Sequence, residues 1–155
     1  MIYKDNIRGL SLEISDNVIA AIEKRALDAF PNETGGFLIG KYLDDNSRAY
    51  VSKVLIPKKC SSRPKSFQRE TEGMEETWNK LYSEGLIYLG EWHSHPNGSC
   101  AYSTIDKTAL TNIANCDTVV INNPIMLIVS LSKTDIKDIS AYYYNNGNIV
   151  IYERE

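Results

Sequence analysis

Glu91-Trp92-His93-Ser94-His95-Pro96, followed six residues later by Ser103-Thr104-Ile105-Asp106, is the stretch on which the reading of this chain turns. His93 and His95 are its only two histidines. Leu86 to His95 has a central, buried look at its start and reads as a strand. Residues i and i+2 of a strand point to one face, roughly 6.5–7 Å apart along the backbone. Two imidazoles so placed can reach one cation at about 2.0–2.1 Å each. Pro96 ends the strand, since it has no N–H for a ladder, and Asn97-Gly98 permits a sharp turn. Ser103 to Ala114 then reads as a helix, with Ile105, Ala109, Leu110 and Ile113 in its apolar stripe. Asp106, in the first turn, can aim its carboxylate back at the strand end. His, His and Asp make three ligands, the number a catalytic zinc takes from protein, with water as the fourth. A second reading stays open beside this one. Ser103-x-x-Asp106 resembles a capping box with Asp in place of Glu or Gln, and an isolated H-x-H also fits the polar face of a strand. A cap and a ligand are compatible roles for one helix entrance.

Outward from this stretch, the chain alternates strands and helices. Leu10 to Ile14 alternates apolar and polar and reads as a strand. Ser15-Asp16-Asn17 supplies N-cap candidates, Val18, Ile19, Ile22, Ala26 and Phe30 recur at helical spacing, and Pro31 marks the stop. Gly36 to Leu43 and Ala49 to Ile56 flank the turn Asp44-Asp45-Asn46 and read as a hairpin. Lys58 to Arg69 reads as a basic loop with no acidic residue. Thr71 to Ser83 reads as a helix with Met74, Trp78, Leu81 and Tyr82 on one side, stopped at Gly85. Ile125 to Leu131 is a strongly apolar strand. Ile139 to Tyr144 and Asn148 to Tyr152 flank Asn145-Asn146-Gly147, a hairpin signal. The order is β-α-β-β-α-β-α-β-β-β. It predicts an α+β domain, a mixed central sheet with helices packed on it, with residues 1–155 as a single unit.

Composition narrows the class. The chain has 155 residues, 43% apolar and 24% charged, too apolar for disorder. Seventeen basic residues against 20 acidic ones give a net charge of -3, which argues against a general nucleic-acid binder. No apolar run approaches the ~20 residues of a membrane helix, and Met1 to Asn6 carries no signal-peptide core. Cys60, Cys100 and Cys116 are odd in number and form no C-x-x-C, so a reducing, cytoplasmic setting is expected.

The defined positions of the opening stretch resemble the JAMM signature, H-x-H-P-x(6)-S-x-x-D, without a mismatch. That family also carries a glutamate after the first helix, and Glu33 in Pro31-Asn32-Glu33-Thr34-Gly35-Gly36 is similarly placed. The element order from about Ser11 to Tyr152 is similar to the MPN (JAB) fold, of cytidine-deaminase-like architecture. Gly90-Glu91-Trp92-His93-Ser94-His95-Pro96 looks most like the short bacterial JAB peptidases encoded beside E1- and E2-like proteins in anti-phage (type II CBASS) operons. The resemblance implies that His93, His95 and Asp106 hold Zn²⁺. It implies that Glu33 carries a proton from water to the leaving amine, and that Ser103 donates to the oxyanion. The substrate it implies is a ubiquitin-like protein or its conjugate, cut after the C-terminal tail, with E1/E2-like proteins as further partners.

Other readings stand beside it. Glu33 alone would pass for a solvated loop acid. Gly35-Gly36 is no phosphate loop, because no Lys-Ser/Thr follows. Trp92 points away from the histidine face, toward the core, while Glu91 fits either the site or the surface. Cys100 would silence a zinc as fourth ligand, or is a passive thiol. The Lys58–Arg69 segment is a solvated loop or a docking surface for an acidic partner. The alternatives in function are another JAB peptidase, acting on sulfur-carrier adducts or of phage-tail type, and a RadC-like interaction module. A zinc deaminase is excluded, since H-x-E and P-C-x-x-C are missing.

Overall fold

Two antiparallel strands, β1 (Ile2–Asp5) and β2 (Leu10–Ile14), open the chain. In α1 (Asp16–Ala29), Val18, Ile22 and Ala26 recur every four residues, so one stripe is buried. β3 (Gly35–Leu43) and β4 (Arg48–Leu55) form the expected hairpin. Then come β5 (Lys59–Arg63), β6 (Ser66–Glu70), α2 (Glu75–Ser83) and β7 (Ile87–Pro96). α3 (Thr104–Ala114), β8 (Ile125–Leu131), β9 (Ile136–Asn145), β10 (Asn148–Ile151) and β11 (Glu153–Arg154) complete the order. In this computed structural model the described residues are 1–57, 59–63, 66–70, 74–119, 121 and 123–155, with the backbone alone for 59–63 and 66–70.

Nine strands form one sheet in the order β10-β9-β8-β7-β3-β4-β2-β1-β11. β2–β4 and β7–β8 are parallel and the other pairs antiparallel, so the sheet is mixed, as expected for α+β. The β7–β8 crossover runs through α3. That is how a helix start comes to lie beside the end of β7, where the two histidines are.

A bulge decides which face the histidines take. Leu38 pairs with Gly90, but Ile39 pairs with Tyr88, so Leu89 is an extra residue in β7. Tyr88 packs on the α2 side, against Phe37 and Trp78. Strict alternation from Tyr88 would put Trp92 and Ser94 on that side. The extra residue reverses this. Trp92 goes into the core with α1, whereas His93 shares a face with Ile128, which packs with Leu110 of α3. Gly90 makes the bulge possible: its φ is +152°, and a Cβ there would sit 2.0 Å from the Ile125 carbonyl oxygen. Phe37, Glu91 and Met126 lie side by side in the register, and Phe37 and Met126 belong to the α2 and α3 clusters, so both helices cover one face and α1 the other.

Several expectations need correction. The segment expected as a loop from Lys58 to Arg69 contains a hairpin, β5 paired with β6 from Lys59↔Glu70 to Arg63↔Ser66. Its side chains, and the basic surface expected of them, lie outside the described residues, as does the expected helix start at Thr71. β1 and β11 were not expected. β11 is two residues long and exists by pairing with β1 (Tyr3↔Arg154), a contact between the two ends of the chain. Of the expected α3 stripe, Leu110 is buried but Ile105 is not: it is 77% exposed. Tyr82 likewise faces solvent while Leu81 is buried. Trp92 is in the core, as expected. Among the described residues no helix is long and apolar enough to cross a membrane.

Candidate metal centre and active site

His93 and His95 project from the last turn of alternation in β7, and their Nε2 atoms stand 3.1 Å apart. The Asp106 carboxylate closes the triangle, with Oδ1 3.0 Å from His93 Nε2 and Oδ2 3.5 Å from His95 Nε2. All three side chains are 13–15% exposed, so they are covered but reachable. The turn after β7 orients His95. Asn97 takes a positive φ of 57°, its N–H donates to the Leu131 carbonyl at 2.7 Å, and Ser99 is carried back over the ring. His95 Nδ1 lies 2.8 Å from the Ser99 carbonyl oxygen. A carbonyl only accepts, so Nδ1 carries the proton and, in the neutral ring, Nε2 presents a lone pair to the centre.

Asp106 is aimed by the helix it starts. Ser103 Oγ accepts the Asp106 N–H at 3.1 Å, and Asp106 Oδ2 accepts the Ser103 N–H at 2.7 Å, a complete capping box. The capping reading of Ser103-x-x-Asp106 is therefore observed, and the same carboxylate faces the imidazoles. Because Ser103 Oγ uses a lone pair on Asp106, its O–H remains available as a donor.

Burial alone would raise Asp106, but the neighbouring His93 and His95 imidazoles and the Ser103 N–H outweigh it and hold the carboxyl far below its ordinary range. Burial alone would lower His95, but Asp106 and the Ser99 carbonyl push it up. Glu33 follows α1 and precedes β3. Burial raises it, His95 lowers it and Asp106 raises it, with a net upward shift. Its carboxylate is thus within electrostatic reach of two members of the cluster.

Tetrahedral ligands about 2.0–2.2 Å from a metal are separated from one another by roughly 3.3–3.6 Å. Here the two Nε2 atoms are 3.1 Å apart, Asp106 offers Oδ1 at 3.0 Å from His93 and Oδ2 at 3.5 Å from His95, and one donor atom from each residue lies within 4.8 Å of the other two. Two imidazole nitrogens facing each other at 3.1 Å need a proton or a cation between them, because two lone pairs repel. The residues fit a divalent metal of the N/O-binding kind. Among the described residues, His93, His95 and Asp106 are the one group of His, Cys, Asp or Glu that converges in this way. Cys100 is excluded as a fourth ligand: its buried thiol faces the Ile128 and Asp138 carbonyls, with Sγ–O distances of 3.3 and 3.2 Å. Glu91 is half-buried on the site face, two residues before His93. Sequence reasoning missed Ser99, whose carbonyl sets the His95 tautomer, and Ser94, whose hydroxyl bonds to Thr34. The Asn97-Gly98 turn was the available signal for the first. The second required knowing the β3–β7 register.

With this geometry in place, the profile of a family described as prokaryotic homologs of the JAB domain (Prok-JAB) matches residues 15–142. The chain belongs to that family. A protein named CD-NTase/cGAS isopeptidase, from Enterobacter hormaechei subsp. hoffmannii, is 32% identical over 146 residues, 94% of this chain and 81% of that protein. A solution structure of a Desulfitobacterium hafniense protein is similar in fold, at 21% identity, covering 92% of this chain and 90% of that one with a TM-score of 0.67. A JAB1/MPN domain protein from Archaeoglobus fulgidus is similar at 19% identity, with a TM-score of 0.55 over 92% of this chain and 95% of that one. The MPN/JAB architecture expected from the sequence is the fold of this JAB chain.

Proposed function

We propose that this chain is a zinc-dependent JAMM-type isopeptidase that cuts after the C-terminal tail of a ubiquitin-like protein, in deconjugation or precursor processing, within a cytoplasmic anti-phage system. The observation that carries the reading is the convergence of His93, His95 and Asp106 with Glu33 in electrostatic reach. The relative named as a CD-NTase/cGAS isopeptidase supports the substrate class.

His93, His95 and Asp106 would hold Zn²⁺. When bound there, zinc supplies Lewis acidity, polarising a carbonyl oxygen and making water more acidic. Glu33 takes the proton of the attacking water and delivers it to the leaving amine. An amide nitrogen leaves only when protonated, and a carboxylate raised by burial is suited to both transfers. The Ser103 hydroxyl, free to donate, stabilises the oxyanion. The Ser99 carbonyl and the capping box keep the ligands in position without help from the substrate. An extended glycine-containing tail would approach this end of β7 beside Gly35-Gly36, and the basic 58–69 segment would meet an acidic partner. Residues 1–155 act as one JAB domain, and E1/E2-like proteins would supply the conjugates.

The deciding assay uses the cognate ubiquitin-like protein fused through its tail to a reporter, and the same fusion with its last glycine made bulky. Chelator-sensitive cleavage at the tail junction, lost in the bulky version, is expected. Equal cleavage of unstructured peptides would make the chain a general peptidase.

A further inference from the structure

Between the two histidines stands Ser94, which has no exposed surface and belongs to the opposite, α1-facing side of β7. Its Oγ accepts the Thr34 N–H at 3.0 Å, and its own N–H donates to the Thr34 carbonyl at 2.8 Å. The β3–β7 ladder starts at Gly35↔His93, and Thr34 is the residue just before it. At the point where the chain leaves the ladder, a side-chain hydroxyl receives the Thr34 amide. Thr34 is itself 1% exposed, so that amide has no water to turn to. Its neighbour is Glu33. The backbone just after Glu33 is therefore bolted to Ser94 by two hydrogen bonds, one to its main-chain N–H and one to its hydroxyl.

We propose that Ser94 is a positioning residue: through Thr34 it holds the Glu33 carboxylate in fixed relation to the His93–His95–Asp106 cluster. Ser94 lies on the far face of the strand and touches no reacting atom. Its effect is geometric, and geometry is steep here, since about 1 Å of misplacement in a reacting group can cost on the order of 10²-fold in rate. An alanine at this position would leave the Thr34 N–H buried without an acceptor, and the segment before β3 would move to find one.

This inference rests on Glu33 as proton carrier, and its test is built to separate the two. Ser94→Ala and Ser94→Cys are compared with wild type in the zinc-loaded full chain. The cysteine keeps the side-chain shape with only a slightly larger atom, and its thiol is a poor acceptor. Both variants are expected to retain zinc and KM, lose kcat by about tenfold or more, and exchange the Thr34 amide about tenfold faster. In a Glu33→Gln background, Ser94→Ala is expected to lower kcat by less than about twofold further, because the group it positions is gone. Wild-type kcat in either folded variant overturns the proposal, and so does an equally large loss in the Glu33→Gln background. If wild type fails to cleave the fusion, the isopeptidase reading fails instead. Crystal structures then decide for Ser94: a Glu33 carboxylate displaced by about 1 Å or more in Ser94→Ala supports the link, and an unmoved one overturns it.

Discussion

Asp5 and Asp106 are both covered carboxylates, 6% and 13% exposed, and their partners differ in kind. Asp5 accepts four donors: the N–H groups of Ile7 and Arg8 at 2.9 and 3.1 Å, Arg8 Nη1 at 2.9 Å and Tyr143 O–H at 2.5 Å. Every one is a permanent donor, and together they close the β1–β2 turn and tie it to β9. Asp106 has one permanent donor, the Ser103 N–H, and otherwise faces two imidazole nitrogens, one of them fixed as a lone pair by Ser99. A buried carboxylate whose lone pairs are all met by N–H and O–H groups is structural. One that converges with other acceptors is short of positive charge, and a cation answers that shortage. The contrast separates a latch from a candidate ligand without reference to any family.

The largest expected effect breaks or keeps that contrast directly. Purified protein should hold about one Zn²⁺ per chain, and His93→Ala or Asp106→Ala should lose most of it, since two ligands bind zinc poorly. Asp5→Asn should keep it all. Elemental analysis after dialysis measures this. Metal retained in Asp106→Ala, or lost in Asp5→Asn, would mean that donor counting misassigned the two acids. Next in size is Glu33→Gln. It should keep metal and fold yet lose about 10²-fold or more in turnover, the scale of a missing general acid–base. Loss of metal from this variant would make Glu33 a ligand instead.

What could be read from sequence was what is local. The i, i+2 spacing of His93 and His95 and the Ser103–Asp106 box each lie within one element, and their geometry follows from its period. Glu33 was suggested by the resemblance alone, because its place relative to His95 depends on how β3 pairs with β7. The face of the histidines hung on the Leu89–Gly90 bulge, which no alternation pattern announces. Ser94 and Thr34 looked like spacers until the register placed them opposite each other. β5 and β6 carry little apolar alternation, and the two-residue β11 needs β1 from the far end of the chain, so none of these had a local signature. The Asp5 latch was invisible for the same reason: Tyr143 is 138 residues away.

A pH titration sharpens the comparison at the Asp5 end. The Tyr143 hydrogen bond, opposed by burial and aided by Arg8 and the turn amides, lowers the Asp5 carboxyl to about 2. A folded pKa below the unfolded one stabilises the fold above the unfolded value near ~4. That stability is lost as the pH falls through about 2. The contribution at neutral pH is about 2 kcal/mol. Asp5→Asn should therefore be less stable than wild type by about that amount at pH 6 in urea melts, with the gap closing as the pH approaches 2. A gap that does not change with pH would mean that packing, and not the charge, is what the substitution removed.

The smallest effect concerns the one donor that Asp106 shares with the latch design. Two helices begin at a serine: Ser103 before α3 makes a side-chain cap bond, and Ser15 before α1 makes none. Ser103→Ala should cost about 1 kcal/mol, the usual value of a lost cap. Ser15→Ala should cost close to nothing, because its buried hydroxyl has no partner to lose. The bond that orients Asp106 comes from the Ser103 main-chain N–H, which alanine also has. Ser103→Ala should therefore keep its metal while turnover falls with the oxyanion donor, and Ser15→Ala should leave turnover alone. Thermal melts, elemental analysis and the fusion assay on the same two variants read all three quantities. If Ser103→Ala loses stability with turnover unchanged, the serine is a cap only. If it also sheds metal, the hydroxyl and not the main chain is what keeps Asp106 a ligand.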